Sequence, residues 1–197
     1  GFESISVREK SACKTVAESA DKDVENVLDP TLLLSDLRWL DIAKKPRNLP
    51  KKYILVYMME GCKYTIEKAR ALARDKECDL VLINPTLRQR QTCKDFVMYK
   101  AASPEEFVGM FAQADAVVTN SFHGVVFSVI FKKEFYAETS NAEKSARIVD
   151  LLALFDLSDR ILPNEINGKP NWEKVNSQLI KEKNKSISWL KDSLGLN

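Results

Sequence analysis

The chain has 197 residues, of which 45% are hydrophobic and 29% charged, with a formal net charge of +2 and a single histidine. That length and composition support one sizeable folded core and exclude a disordered chain. The near balance of charge gives no basis for binding nucleic acid, no apolar run is long enough to span a bilayer, and no secretory signal is visible.

Residues 4–7 read as a strand ending at Arg8, and residues 10–20 as a helix. Val24 to Leu28 form a second strand candidate, closed by Asp29-Pro30. Pro30 can open a helix, to which Leu32, Leu33, Leu37, Trp39, Leu40 and Ile42 give a broad apolar face. The stretch from Lys44 to Lys52, with Pro46 and Pro50, is a loop. Tyr53 to Met58 is a near-continuous apolar run, as expected of a strand buried on both faces. Ile66, Ala69, Leu72 and Ala73 follow at helical spacing, then a strand from Asp79 to Ile83. Residues 86–94 read as a polar loop and Phe96 to Tyr99 as a short strand. Ser103-Pro104-Glu105-Glu106 starts a helix, with serine as cap and Glu106 completing a capping box.

Ala116 to Val118 read as a buried strand, and Val125 to Phe131 as a largely buried helix that Asn120 or Ser121 can cap. Phe135 to Ala137 is another strand, residues 144–156 an amphipathic helix, and Asn171 to Leu194 a long Lys-rich helix. Alternating strands and helices predict an α/β, Rossmann-like domain: a mainly parallel sheet with helices on both faces. Ligands of such sheets sit outside the carboxyl ends of the strands. The residues there are Arg8, Asp29, Glu60, Asn84, Asn120 and Glu138, all polar after apolar runs, although turn chemistry alone also puts polar residues there. The absence of GxGxxG and GxxxxGK[ST] motifs argues against a dinucleotide cofactor and a P-loop. Cys13, Cys62, Cys78 and Cys93 are scattered, form no CxxC pair and read as free thiols, so no metal site is expected.

The segment Ala114 to Gly124 (ADAVVTNSFHG) places the one histidine, His123, at a strand-to-helix junction. A helix start offers unpaired N–H groups and the positive end of the macrodipole, so it favours anions. A histidine there can donate to an anion or move a proton near neutral pH. A histidine satisfied by backbone groups in a tight turn is the alternative. With parallel strands, Arg8 would share the edge with His123 and hold an anion in a two-pronged contact.

These pieces resemble the polysaccharide pyruvyl transferase family. The resemblance is carried by Ser6-Val7-Arg8-Glu9, by Val27 to Leu34 (VLDPTLLL), by ADAVVTNSFHG, and by Arg147 to Leu152 (RIVDLL) followed by Leu157-Ser158-Asp159-Arg160, in the family's order. It implies a fold like the two-domain GT-B glycosyltransferases, with this chain as the carboxyl-terminal half. Residues 1–162 would form the donor-binding domain. Residues 163–197 would form a linker and a long helix packed on the domain or on an N-terminal half of the same protein. The implied activity moves the pyruvyl unit of phosphoenolpyruvate onto a sugar of a surface or capsular polysaccharide as a ketal, with no cofactor. The implied partners are phosphoenolpyruvate and a glycan or lipid-linked sugar; the implied location is the cytoplasm, with the inner face of the membrane as a further option.

His123 and Arg8 match the family's donor-associated histidine and arginine, and His123 is the expected catalytic residue. The expected substrate-binding set is Arg8, Asn120, Ser121, Phe122, Gly124, Asp29, Glu138 and Arg147. Many members carry arginine where this chain has Ser121; Arg147 or Lys144 is the replacement cation. A GT-B enzyme using a nucleotide sugar, with Glu138 near the ribose, and a non-catalytic binding domain are the competing readings.

Overall fold

The computed structural model describes residues 3–59, 62–139, 142–164 and 168–196. The chain opens with β1 (Ile5–Val7), α1 (Cys13–Ala20) and β2 (Val24–Asn26), in which the two strands pair in parallel with Ile5 opposite Val24. Sequence reading put both strands in the main sheet; they form a separate two-stranded sheet instead. Three-residue strands are too short for their pattern to specify a partner.

The long apolar helix expected after Pro30 is divided. A 3-10 turn covers Pro30–Leu33, and α2 (Asp36–Ile42) starts afresh where Ser35 Oγ accepts from the Arg38 N–H at 3.3 Å. Leu32 and Trp39 turn inward, Trp39 meeting the Phe127 ring edge-on at 5.1 Å. Leu34, Leu37, Leu40 and Ile42 remain exposed, with Leu37 at 68%.

The main sheet follows. Its strands are β3 (Tyr53–Tyr57), β4 (Asp79–Ile83), β5 (Val97–Tyr99), β6 (Ala116–Thr119), β7 (Glu134–Glu138) and β8 (Ile161–Leu162). All neighbours are parallel, in the spatial order β5-β4-β3-β6-β7-β8. The chain builds outward from β3 in one direction, then returns to its other side at β6. That reversal opens a crevice between the carboxyl ends of β3 and β6, the usual ligand position in such sheets.

Helices cover both faces. The helix α3 (Lys63–Lys76) buries Ala69 and Leu72 on one, against Ile54, Val56 and Val118. On the other, α5 (Pro104–Gln113), α6 (Phe122–Ile130) and α7 (Ala142–Leu154) pack on Leu55, Val117 and Phe135. Between them in sequence, residues 87–92 are the short helix α4 (Leu87–Thr92) rather than loop. Its polar sequence shows no apolar period, but Thr86 and Gln89 form a capping box. The last helix, α8 (Trp172–Ser193), buries Val175 in the core. Near its far end, Ser186 Oγ accepts from the Leu28 N–H at 2.9 Å, and Lys185 pairs with Glu25 at 2.6 Å. Thus α8 straps the small sheet to the large one.

Candidate functional site

The site forms where the small sheet meets α6. Arg8 leaves β1 and Asp29 follows β2, and Arg8 Nη1 donates to Asp29 Oδ2 at 2.6 Å. The Asp29 side chain is 3% exposed. Its Oδ1 accepts from the Thr31 N–H at 3.0 Å and the Thr31 hydroxyl at 2.5 Å, capping the 3-10 turn. Turn residue and site residue are therefore one residue. Burial alone would raise the Asp29 pKa; the Thr31 hydroxyl and amide, then Arg8 and His123, outweigh it and hold the carboxyl below its ordinary value. The hydrogen bond to Asp29 raises Arg8 against the opposing effect of burial.

His123 stands in the first turn of α6 with its side chain 44% exposed, and its Nε2 lies 3.9 Å from Asp29 Oδ2. That distance is beyond a hydrogen bond but close enough for an ion pair when the imidazole is protonated. The expected meeting of Arg8 and His123 occurs, though through Asp29 and across two sheets rather than along one edge.

Two cations flank one ring. The Arg8 and Arg147 guanidinium carbons lie 5.3 and 5.8 Å from the Phe122 centroid. Glu9 Oε1 couples them, 3.3 Å from Arg8 Nε and 3.6 Å from Arg147 Nε. Among the described residues the Arg147 guanidinium makes no side-chain hydrogen bond, only the 3.6 Å ion pair with Glu9 and the contact with the Phe122 ring. A cavity of about 400 Å³ opens against Arg8, Arg147 and Phe122 and is also walled by Asn26, Asp150 and Leu151. Sequence reading named Glu9 only within a resembling motif and gave it no role; its signal was a carboxylate directly after an arginine at a strand end.

The other expected residues have structural partners. Asn120 does not cap α6. Its Oδ1 accepts from the Met59 N–H at 2.8 Å and its Nδ2 donates to Cys62 Sγ at 2.9 Å, pinning the loop after β3 across the crevice. Ser121 occupies the cap position without a side-chain capping bond; its N–H donates to Thr119 Oγ1 at 3.0 Å. Gly124 is buried, and a Cβ there would stand 2.2 Å from Thr119 Oγ1, so it permits close packing of α6 on β6. Glu138 is 4% exposed, and its Oε2 accepts from both the Thr65 N–H (2.7 Å) and the Thr65 hydroxyl (2.8 Å), holding the first turn of α3. Asn84 serves a turn, its Oδ1 accepting from the Ala102 N–H at 3.1 Å. In the later stretch, Arg160 is 2% exposed and donates to Asp159 and to the Gly168 carbonyl. Glu60 and the Lys144 side chain lie outside the described residues.

Comparison of the coordinates with solved structures finds UDP-GlcNAc 2-epimerase of Methanocaldococcus jannaschii. In its complex with UDP-GlcNAc and UDP, the TM-score is 0.53 at 15% identity, over 92% of this chain and 54% of that one. A second structure of that enzyme gives 0.50 at 13% identity, over 90% and 54%. An O-GlcNAc transferase mutant of Thermobaculum terrenum follows at 0.44 and 9% identity, over 87% and 37%. At these identities the likeness speaks to the fold alone, and the two epimerase structures support the Rossmann-like, parallel-sheet architecture described above. The chain spans about half the length of the epimerase it matches. No curated protein sequence matches it significantly. The sequence profile of polysaccharide pyruvyl transferases matches residues 1–140, which include Arg8, Glu9, Asp29 and His123. The chain belongs to the polysaccharide pyruvyl transferase family.

Proposed function

We propose that this site binds phosphoenolpyruvate and transfers its pyruvyl unit to a sugar diol. The carrying observation is the pair of guanidinium groups, Arg8 and Arg147, coupled through Glu9 and lining one cavity with Asp29, whose Oδ2 lies 3.9 Å from His123 Nε2. Phosphoenolpyruvate has a carboxylate and a phosphate, and paired arginines suit such planar and tetrahedral oxyanions. The first N–H groups of α6 add donors of fixed direction. Arg147 supplies the cation that Ser121 does not.

In the reaction, the methylene carbon gains a proton and the adjacent carbon becomes an oxocarbenium-like centre. One sugar hydroxyl attacks that carbon, the bond from it to the phosphate oxygen breaks, and a second hydroxyl closes the ketal. The two hydroxyl protons end on the new methyl group and on the departing phosphate, so the proton count balances. His123 is the proton-transfer residue, and Asp29 is a positioning residue that orients Arg8 and faces the imidazole when it is charged. A nucleotide-sugar donor is not adopted, because Glu138, the carboxylate it would place on a ribose, is engaged by Thr65.

Isothermal titration with phosphoenolpyruvate, UDP and GDP tests this reading. Saturable binding of phosphoenolpyruvate, weakened about tenfold or more by Arg147→Ala, is expected from the loss of a charged hydrogen bond. Binding of UDP or GDP without phosphoenolpyruvate would replace the proposal with the nucleotide-sugar reading.

A further inference from the structure

The surface of α2 lies outside the site just described. Leu34, Leu37 and Leu40 recur every third residue, and they and Ile42 are 46–68% exposed. Trp39, the aromatic of that helix, is turned inward. Immediately after α2 come Lys44, Lys45, Arg47, Lys51 and Lys52, all exposed. Residues 34–52 hold six basic side chains against two acidic ones, a local excess larger than the +2 of the whole chain. Arg38 pairs with Asp41 at 3.5 Å and Lys44 with Glu105 at 3.5 Å. Lys45, Arg47, Lys51 and Lys52 form no ion pair among the described residues.

An exposed aliphatic stripe continuing into a basic loop has two natural complements, apolar chains and anions, arranged side by side. A lipid surface presents both. Protein interfaces instead centre on aromatic anchors and directional hydrogen bonds, and the one aromatic of α2 faces the core. No helix among the described residues is long and apolar enough to cross a membrane, so contact would be peripheral. The end of α2 meets the start of α5, where the Lys44 N–H donates to the Glu105 carbonyl at 2.9 Å, and the basic loop then runs past Tyr99, whose hydroxyl donates to the Arg47 carbonyl at 3.1 Å, to the start of β3.

We propose that α2 and the loop of residues 44–52 dock the protein on an anionic lipid surface. The four aliphatic side chains enter the boundary between headgroups and acyl chains, and the basic loop meets lipid phosphates. This is independent of the donor assignment.

Co-sedimentation of the complete natural gene product with vesicles is the test. Binding to phosphatidylcholine–phosphatidylglycerol vesicles, weak binding to pure phosphatidylcholine and loss in high salt are expected. The double variants Leu37→Glu/Leu40→Glu and Lys51→Glu/Lys52→Glu should each weaken binding at least about fivefold. Both pairs are exposed, so circular dichroism and thermal melts should match the wild type. Failure of the folded wild type to bind anionic vesicles at low salt would overturn the proposal, as would unchanged binding in both variants. Sedimentation velocity adds a further arm: a dimer dissolved by Leu37→Glu/Leu40→Glu, with no vesicle binding, would assign the stripe to a second copy instead.

Discussion

The two parallel sheets contrast in how they are held. In the large one, Ile54, Leu55, Val56, Val117 and Val118 are completely buried, with helices on both faces. In the small one, none of the six strand residues is buried, and α1, which joins the strands, buries none of its own. Parallel pairs normally lie deep within larger sheets. Yet the small sheet presents Arg8 and the turn bearing Asp29, while the large body presents His123 and Arg147. The contrast teaches that the site is a seam, with one wall fixed by core packing throughout and the other by α8, a handful of polar contacts, and Leu28 and Leu32 set into the core on either side of Asp29.

The largest test of that seam compares its two walls. His123→Ala in the complete enzyme should lower turnover by about 10²–10⁴-fold with an unchanged melting temperature. Arg8→Ala should act mainly on donor affinity, with about 10–100-fold weaker binding by titration. If both variants lost turnover alone, the division of labour would fail. Hydrogen exchange probes the support itself. The Ser6 and Glu25 amides should exchange on the order of a thousandfold faster than those of Leu55 and Val117, since local opening is far easier than global unfolding. Equal protection would abolish the contrast.

A smaller effect belongs to the packed wall alone. Gly124→Ala forces a Cβ onto Thr119 and should cost about 1–3 kcal/mol in denaturant unfolding. The smallest effect concerns acid. The Asp29 carboxyl sits below its ordinary value, so its contribution is complete above the unfolded pKa of about 3.9 and disappears as pH falls through the folded one. The stability advantage of wild type over Asp29→Asn should therefore narrow below that pH in an acid-unfolding series.

Continuous apolar runs made β3 and β6 legible, because strands covered on both faces cannot alternate in polarity. The split at Ser35 was hidden by an apolar pattern that satisfies both the core and an exposed stripe. Polar residues at strand ends were legible as a set but not individually. Asn120 bridges two loops and Glu138 holds the start of α3, and nothing in either side chain's chemistry distinguishes such duty from ligand contact. Gly124 carried the opposite ambiguity, since close helix–strand packing and close ligand approach both demand a missing Cβ. The coupling of Arg8 to Arg147 through Glu9 joins residues too distant in sequence for spacing rules.

Asp29 Oδ2 serves two claimants: Arg8 holds it at hydrogen-bond distance, while the imidazole waits at 3.9 Å. The small sheet and α6 thus share a single oxygen atom as their polar joint, and whatever displaces the guanidinium from it also changes what the imidazole faces.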